Sequence, residues 1–140
     1  MKYMIMMAGS QQDFDMLSGN ATHTPPWSPE ELAAMHEFMG NWNNELVESG
    51  EFVDARGLAA PVHARRISLQ DGVPVVTDGP YAETQEVLAG YTIVECDSFD
   101  RATEIAARLA HTPHPEHAKL SHGWYVDVRP ILEGFADLEA

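Results

Sequence analysis

Apolar and polar residues recur with two periods along the chain, and these periods predict its helices and strands. Residues 2–8 form a short apolar run that ends at Gly9-Ser10, which predicts a strand close to the N-terminus. The stretch 28–31, SPEE, combines a capping serine, a proline at the first helical position and the glutamate of a capping box. Gly50 supplies the matching C-terminal glycine. One predicted helical face carries the apolar residues Leu32, Met35, Met39, Trp42 and Leu46.

The rest of the chain is predicted to consist mainly of strands. Residues 51–61 form one strand, and residues 62–70 and 73–77 flank Asp71-Gly72, a strong hairpin signal. Residues 87–96 are almost continuously apolar, and 124–132 alternate as a last strand before an acidic tail at 133–140. Asp97 or Ser98 caps a second helix. Residues 9–27 and 111–123 are predicted to be loops, the first a possible flap over a site.

This order of elements predicts one α+β domain over residues 1–140 with a ferredoxin-like topology. Two helices cover one face of such an antiparallel sheet, yet the first and central strands are apolar on both faces. A second copy of the chain is the simplest cover for the other face, so the pattern predicts a homodimer.

Composition and net charge disfavour several classes of binding partner. Eight basic and 22 acidic residues give a net charge of −14, which disfavours binding to nucleic acid or to an anionic membrane. The single cysteine, Cys96, fits a reducing cytoplasm. No apolar run has the roughly 20 residues needed to span a bilayer. We therefore expect a soluble cytoplasmic protein.

The stretch 77–86, TDGPYAETQE, followed by Leu88 and Gly90-Tyr91, resembles the signature of the YCII-related family, specifically its DGPF-domain branch. Residues 57–64 and the DVRP stretch at 127–130 extend the resemblance over about residues 1–132. The resemblance implies a dimeric α+β barrel of ferredoxin-like subunits. It also implies a link to sigma factors of the extracytoplasmic-function type, or a relation to small lyases and dehydrochlorinases that use a His-Asp pair.

The signature stretch supplies the first candidate site residues. A turn at Asp78 could aim Asp78, Tyr81 and Glu83 into a cavity between subunits, where burial would raise a carboxyl pKa toward neutrality for acid-base work. The competing interpretation is that Asp78 only fixes the turn through hydrogen bonds to backbone amides. His63 is the natural partner of Asp78 if it faces the cavity, and an edge-strand residue otherwise.

Arg56 and Arg129 are candidates for binding a carboxylate in a bidentate contact, although a structural ion pair with one of the 22 acidic side chains is the favoured interpretation. The loop histidines are spaced H-x2-H-x2-H-x4-H, but prolines interrupt them and cysteine ligands are absent, so we predict no metal site. This loop set consists of His111, His114, His117 and His122. No glycine-rich cofactor motif is present, so we predict no cofactor.

Two functions remain open on this basis. In one, the protein binds a small ligand in the dimer cavity and acts as a regulatory partner of a sigma factor. In the other, it is a cofactor-independent lyase or dehydrochlorinase that acts on a small polar or anionic metabolite, with Asp78 and a histidine moving the proton.

Overall fold

The computed structural model describes residues 1–19, 25–115 and 123–139. Six strands and three α-helices lie in these ranges. The elements are β1 Lys2–Gly9, α1 Gln11–Ser18, α2 Pro29–Ser49, β2 Phe52–Gly57, β3 Arg65–Gln70, β4 Val73–Asp78, β5 Val87–Glu95, α3 Phe99–Ala107 and β6 Asp127–Pro130.

Four strands form one antiparallel sheet in the order β2-β5-β1-β6, and β3 and β4 form a separate two-stranded hairpin. The central strands β1 and β5 are neighbours although most of the chain separates them, because the split βαβ topology brings them together. The predicted α+β class and ferredoxin-like topology are confirmed. The hairpin is an insertion between β2 and β5.

The predicted helix starts are confirmed by their caps. The Ser28 hydroxyl oxygen accepts a hydrogen bond from the Glu31 backbone N–H, and the Glu31 carboxylate accepts one from the Ser28 backbone N–H, so the capping box of α2 is complete. Gly50 ends α2 with a φ of 78°. Ser98, rather than Asp97, caps α3. The last turn after α3 tightens into a 3-10 turn over Arg108–His111, ahead of the prolines.

The prediction of a loop over residues 9–27 was wrong for 11–18, which form helix α1. The local cause is a second capping box, in which Ser10 and Asp13 satisfy each other's backbone N–H groups. Met16 is buried and anchors the helix. Residues 20–24 of that predicted loop lie outside the described residues.

The hydrophobic core lies between the four-stranded sheet and helices α2 and α3. Its buried members are Tyr3, Ile5, Trp42, Leu46, Val94, Cys96, Ala102, Ile105, Ala106 and Leu109. The Trp42 indole N–H donates to the Ile105 carbonyl at 3.0 Å, which joins α2 to α3 inside this core. At the rim, Arg101 of α3 forms a two-point ion pair with Glu51, which precedes β2. These contacts hold both helices on one face of the sheet.

The register identifies the residues of the opposite face, called here the open face. Tyr3 and Ile5 point toward the helices, so their strand neighbours Met4 and Met6 point away. The same alternation places six cross-strand partners on the open face: Asp54, Arg56, Tyr91, Ile93, Asp127 and Arg129. The core cluster, within the described part of the chain, includes none of these residues. The apolar second face expected from the sequence is therefore present.

The β3–β4 hairpin projects from this domain. Asp71 and Gly72 both have positive φ, at 51° and 78°, as a two-residue I′ turn requires, so the predicted hairpin turn is confirmed. Every residue of the two strands except Val75 is exposed.

Several predicted strands are longer than the observed ones. The strand predicted over 51–61 ends at Gly57, and the strand predicted over 124–132 covers only β6. The hairpin strand predicted to begin at residue 62 begins at Arg65, because Pro61 starts a short 3-10 turn. Part of the predicted acidic tail forms a 3-10 turn over Phe135–Glu139. In the described ranges, no helix combines the length and the apolar character needed to cross a bilayer.

Candidate functional site

The signature stretch leaves β4 through a tight turn at Gly79. The Gly79 N–H donates to the Ala64 carbonyl at 2.8 Å, and its φ of +51° lies in the left-handed region. A Cβ at this position would stand 3.3 Å from the Val62 carbonyl oxygen. The turn therefore needs glycine for its backbone conformation, while the neighbouring backbone leaves little room for a side chain.

Asp78 and His63 are not brought together as the acid-base hypothesis requires. The Asp78 carboxylate accepts a hydrogen bond from the Arg65 guanidinium at 3.1 Å, and the two side chains are 79% and 76% exposed. His63 lies in the 3-10 turn before β3 and is also exposed, so the predicted strand position of His63 was wrong. The acid-base role of this pair stays a prediction, without support from the contacts of Asp78.

Tyr81 and Glu83 belong to a segment that packs against neighbouring elements. The guanidinium carbon of Arg66 lies 5.1 Å from the Tyr81 ring centroid, within cation–π range. The Glu83 carbonyl accepts the Gln12 N–H at 3.1 Å, which fixes the segment to the start of α1. Tyr81 is half-buried, whereas the Glu83 side chain is exposed.

Helix α1, which the sequence analysis did not predict, makes the hydrogen bonds that hold the neighbouring loops in place. The Gln11 side-chain oxygen accepts the Val62 N–H at 2.8 Å, which ties the 61–63 turn to the same helix start. Gln11 also donates to Asp15 within the helix at 2.9 Å. Helix α1 thus links the signature stretch, the 61–63 turn and the end of β1 at one end of the sheet, called here the loop end.

The two candidate arginines share the open face but lie on its opposite edges. Arg56 of β2 pairs with Tyr91 in the sheet register, and its guanidinium forms an ion pair with Asp54 at 2.8 Å. Arg129 of β6 lies beside Met4 on the other edge. Three strand spacings, about 14 Å, separate the edges, and Arg56 is already bound to Asp54, so the two arginines do not form one ready carboxylate site.

Glu86 and Tyr125 form a polar contact that the sequence analysis did not single out. The Tyr125 hydroxyl donates a short hydrogen bond to the Glu86 carboxylate across 39 positions of sequence. Glu86 directly precedes β5 and Tyr125 lies two residues before β6, so the pair is at the loop end of the sheet. Continuing the alternation outward from Leu88, which lies beyond the bulge, and from Asp127 assigns both side chains to the open face. The sequence signal that could have indicated this position of Tyr125 is the alternation of a strand, which puts Tyr125 on the same face as Asp127 and Arg129.

The Tyr125 phenol is held in its protonated form. Its hydrogen bond to Glu86 raises the pKa of Tyr125 above the ordinary value of a tyrosine, and burial and the negative charges of Glu86 and Asp127 raise it further. The hydroxyl is therefore a hydrogen-bond donor at neutral pH. Because the ionised carboxylate of Glu86 has only acceptor sites, the pair offers one donor and several acceptor positions.

Apolar side chains complete the loop end of the open face. Leu88 pairs with Ala8 after a bulge in the β1–β5 register, and Met6 pairs with Tyr91 in the next row. Leu88 is 42% exposed. The face therefore combines an apolar floor with hydrogen-bonding groups at one end, which is the usual composition of a small-molecule site.

The loop histidines are only partly within the described residues. His111 ends the 3-10 turn after α3, and a ring nitrogen of His114 lies 3.0 Å from the Pro115 carbonyl oxygen. His117 and His122 lie outside the described residues. Within residues 1–19, 25–115 and 123–139, no group of three or more His, Cys, Asp or Glu side chains could hold a metal ion.

Comparison with known proteins identifies the family. The family model of the YCII-related domain matches residues 1–114. The chain belongs to the YCII-related family. An uncharacterized protein of Rhizobium meliloti (strain 1021) is 32% identical to it over 108 residues, which cover 77% of this chain and 82% of the relative. The matched range includes the whole signature stretch and β5, whereas β6 with Asp127 and Arg129 follows it.

Proposed function

We propose that this YCII-related protein is a homodimer that binds a small polar ligand between its two sheets, at the loop end of the open face. The single observation that carries the proposal is the hydrogen bond between Tyr125 and Glu86 on this face. The pair joins the signature stretch to β6 and lies beside exposed apolar surface of Leu88.

The apolar surface of the open face is the physical reason to propose a dimer. Met4, Met6, Tyr91 and Ile93 form an apolar strip along the two central strands, on the side opposite the helices. Each is half-buried within one protomer. Removing apolar surface from water is favourable by roughly 25 cal/mol per Å², before the entropic cost of association is subtracted. A second sheet packed about 10 Å away would cover this strip and enclose the polar pair.

The chemistry of the pair indicates the class of ligand. Glu86 accepts a hydrogen bond at one side of the face, Asp127 adds a second carboxylate there, and both affect Tyr125 electrostatically. A ligand that donates from a hydroxyl or an amine would replace the Tyr125 hydroxyl at Glu86, and its apolar part would lie on Leu88. We therefore propose small hydroxylated or amino-bearing metabolites as ligands.

A binding screen tests this proposal. The wild-type protein is screened against small alcohols, amines, sugars and amino acids by thermal shift, and each hit is titrated by heteronuclear NMR. We expect amide shifts at the start of β5 and the start of β6, and at least a tenfold loss of affinity in Glu86→Gln, since it removes the charged acceptor of the ligand's hydrogen bond. Tyr125→Phe removes the hydroxyl that the ligand has to displace, so this variant is expected to bind at least as tightly as the wild type.

The matched control is Glu95→Gln. Glu95 pairs with Lys2 at the far end of the same sheet face, so this substitution changes the same charge on the same strand. It is expected to retain full affinity. Hits whose shifts map to α2 and α3, or whose affinity is the same in Glu86→Gln as in the wild type, would contradict the proposed site.

A regulatory role with an extracytoplasmic-function sigma factor, and membership of the DGPF-domain branch, stay predictions. The net charge of −14 suits a basic partner surface. A pull-down with such a sigma factor would test the link. The lyase or dehydrochlorinase alternative also stays a prediction, and it requires Asp78 to leave Arg65 and approach His63. Turnover that is lost in both Asp78→Asn and His63→Ala would support it.

A further inference from the structure

The β3–β4 hairpin is a two-stranded sheet of its own, so within the described residues neither of its long edges is paired with another strand. Each of its strands has six residues, and all of them except Val75 are exposed. An isolated two-stranded hairpin is marginally stable in water, whereas three or more strands with an apolar face can be stable by themselves. Pairing with a further strand would therefore stabilise this hairpin.

The register of the hairpin shows which of its backbone groups point outward. The Gly79 N–H donates to the Ala64 carbonyl, so Ala64 and Gly79 form a hydrogen-bonded pair at the base of the ladder. Hydrogen-bonded and non-hydrogen-bonded pairs alternate along an antiparallel ladder. In every second pair, the N–H and C=O groups of both residues therefore point away from the opposing strand. These outward-pointing pairs are Arg65–Asp78, Ile67–Val76 and Leu69–Pro74.

The two edges of the hairpin differ in their capacity to accept another strand. On the β4 edge, Pro74 has no N–H to donate, so the row of hydrogen-bonding groups is interrupted. On the β3 edge, Arg65, Ile67 and Leu69 each present an N–H and a C=O. None of these backbone groups makes a hydrogen bond inside the described ranges of the chain. The β3 edge is therefore open to the addition of a strand.

We infer that the β3 edge binds the β3 edge of a second copy in antiparallel orientation, so that the two hairpins form one continuous sheet. A two-fold axis beside Ser68 sets this residue against its own copy. Every other cross-strand pair in this register joins side chains that attract or match each other: one pair of opposite charges, one polar pair and one apolar pair. The pairs are Arg65 with the partner's Asp71, Arg66 with the partner's Gln70, and Ile67 with the partner's Leu69.

Neighbouring registers of the same two edges match less well. Because only alternate residues point outward, the register can change only in steps of two residues. One step toward the base of the hairpin sets Arg65 against the partner's Leu69. One step toward the tip sets Ile67 against the partner's Asp71. Each of these registers places a charge beside an apolar side chain, so the pattern of side chains selects the register centred on Ser68.

The ion pair between copies leaves the contacts within each hairpin intact. The Arg65 Nε donates to Asp78 at 3.1 Å, and the terminal nitrogens of Arg65 make no hydrogen bond with any residue that the structure describes. A guanidinium has several N–H donors, so Arg65 can bind a second carboxylate with them. Asp71 is exposed at the hairpin tip, and its carboxylate makes no ion pair with another described residue. Both groups are therefore available.

A disulfide between copies tests the register. Ser68 bonds toward β4, so the two copies of residue 68 would form a non-hydrogen-bonded pair with Cα atoms about 4.5 Å apart, a distance that a disulfide spans. The matched control is Gln70→Cys, on the same hairpin face, because the two copies of residue 70 would lie about 14 Å apart. In mild oxidant, Ser68→Cys is expected to form a covalent dimer on the order of tenfold faster than Gln70→Cys. Non-reducing electrophoresis measures both rates, and the native Cys96 is buried.

Two proline substitutions in the Ser68→Cys chain test which edge is used. Ile67→Pro removes an outward N–H from β3, and Val76→Pro removes the outward N–H of the residue opposite it on β4. Neither change removes a hydrogen bond of the hairpin itself. Ile67→Pro is expected to slow cross-linking on the order of tenfold, whereas Val76→Pro should leave the rate unchanged. NMR amide signals of the hairpin show whether each variant keeps its fold.

Cross-linking of Ser68→Cys that is no faster than that of Gln70→Cys overturns the inference, as do equal rates in the two proline variants. If a proline variant loses the hairpin signals, Arg65→Glu and Arg66→Glu give the same comparison. Arg65→Glu sets a like charge against the partner's Asp71 and should slow cross-linking, whereas Arg66→Glu faces a neutral side chain. The hairpin is not part of the open face, so either result leaves the proposed ligand site at Glu86 untouched.

Discussion

Protonation of Glu51 is expected to destabilise the protein as the pH falls, because the folded state holds this carboxylate in its ionised form. The Arg101 guanidinium donates two hydrogen bonds to it, at 2.8 and 2.9 Å. Ser49 donates a third at 2.8 Å. The bond from Arg101 is the largest cause that lowers the pKa of Glu51 from 4.5 to about 2, against an opposing effect of burial.

The magnitude follows from proton linkage. A shift from 4.5 to about 2 corresponds to an upper limit of about 3 kcal/mol. The Arg101 side chain is 40% exposed, so solvent screens the pair, and we expect a contribution of about 1–2 kcal/mol at neutral pH. Because the folded pKa lies below the unfolded one, this stability is complete above pH 4.5 and decreases as the pH falls toward 2. By pH 3.5 about 1 kcal/mol of it is lost.

Urea denaturation of the wild type and of Glu51→Gln between pH 7 and pH 3.5 measures this effect. The difference in free energy of unfolding between the two proteins should be constant from pH 7 to pH 5.5 and then shrink by about 1 kcal/mol. Glu48→Gln, a matched change on exposed surface of α2, should follow the wild type throughout. A difference that is the same at pH 3.5 as at pH 7 would refute the reasoning, since the carboxylate would then have an ordinary pKa in the folded state.

Three further predictions concern the core and the signature turn. Trp42→Phe removes the buried hydrogen bond to Ile105 and leaves unfilled volume, so urea titration should show a loss of about 2 kcal/mol. Gly79→Ala should destabilise by about 1–2 kcal/mol because of its positive φ, while Gly57→Ala, which meets no atom within 4 Å, should be nearly neutral. Burial raises the pKa of the Cys96 thiol, so a disulfide reagent at pH 8 should modify it at least tenfold faster in 6 M urea than in buffer, and equal rates would contradict its burial.

The elements that the sequence predicted correctly depend on residues a few positions apart. The capping boxes, the glycine after α2 and the Asp71-Gly72 turn are of this kind. Helix α1 has the same signal in Ser10 and Asp13, but the glycine and prolines of residues 9–27 favour a loop, so the helix was not predicted.

The contacts of the candidate site residues depend on more than local sequence. The orientation of Asp78 and His63 depends on the 3-10 turn at 61–63 and on the pairing of β3 with β4, which direct Asp78 toward Arg65. The Glu86–Tyr125 contact requires the strand order of the sheet, because β1 lies between the strands that carry the two residues. The hydrophobic periodicity within either segment does not encode the order of the strands in the sheet.

By itself, the sequence determined helices α2 and α3, most strands, the hairpin turn and the presence of a second apolar sheet face, because each arises from periodicity or backbone preference within a short window. Only the tertiary structure decided which charges share that face. Arg56 and Asp127 come from opposite edges of the sheet, and they enter one row only after β5 and β1 have paired between them. The reason is physical: strand order and register are set by the packing of the whole core, which no single segment encodes.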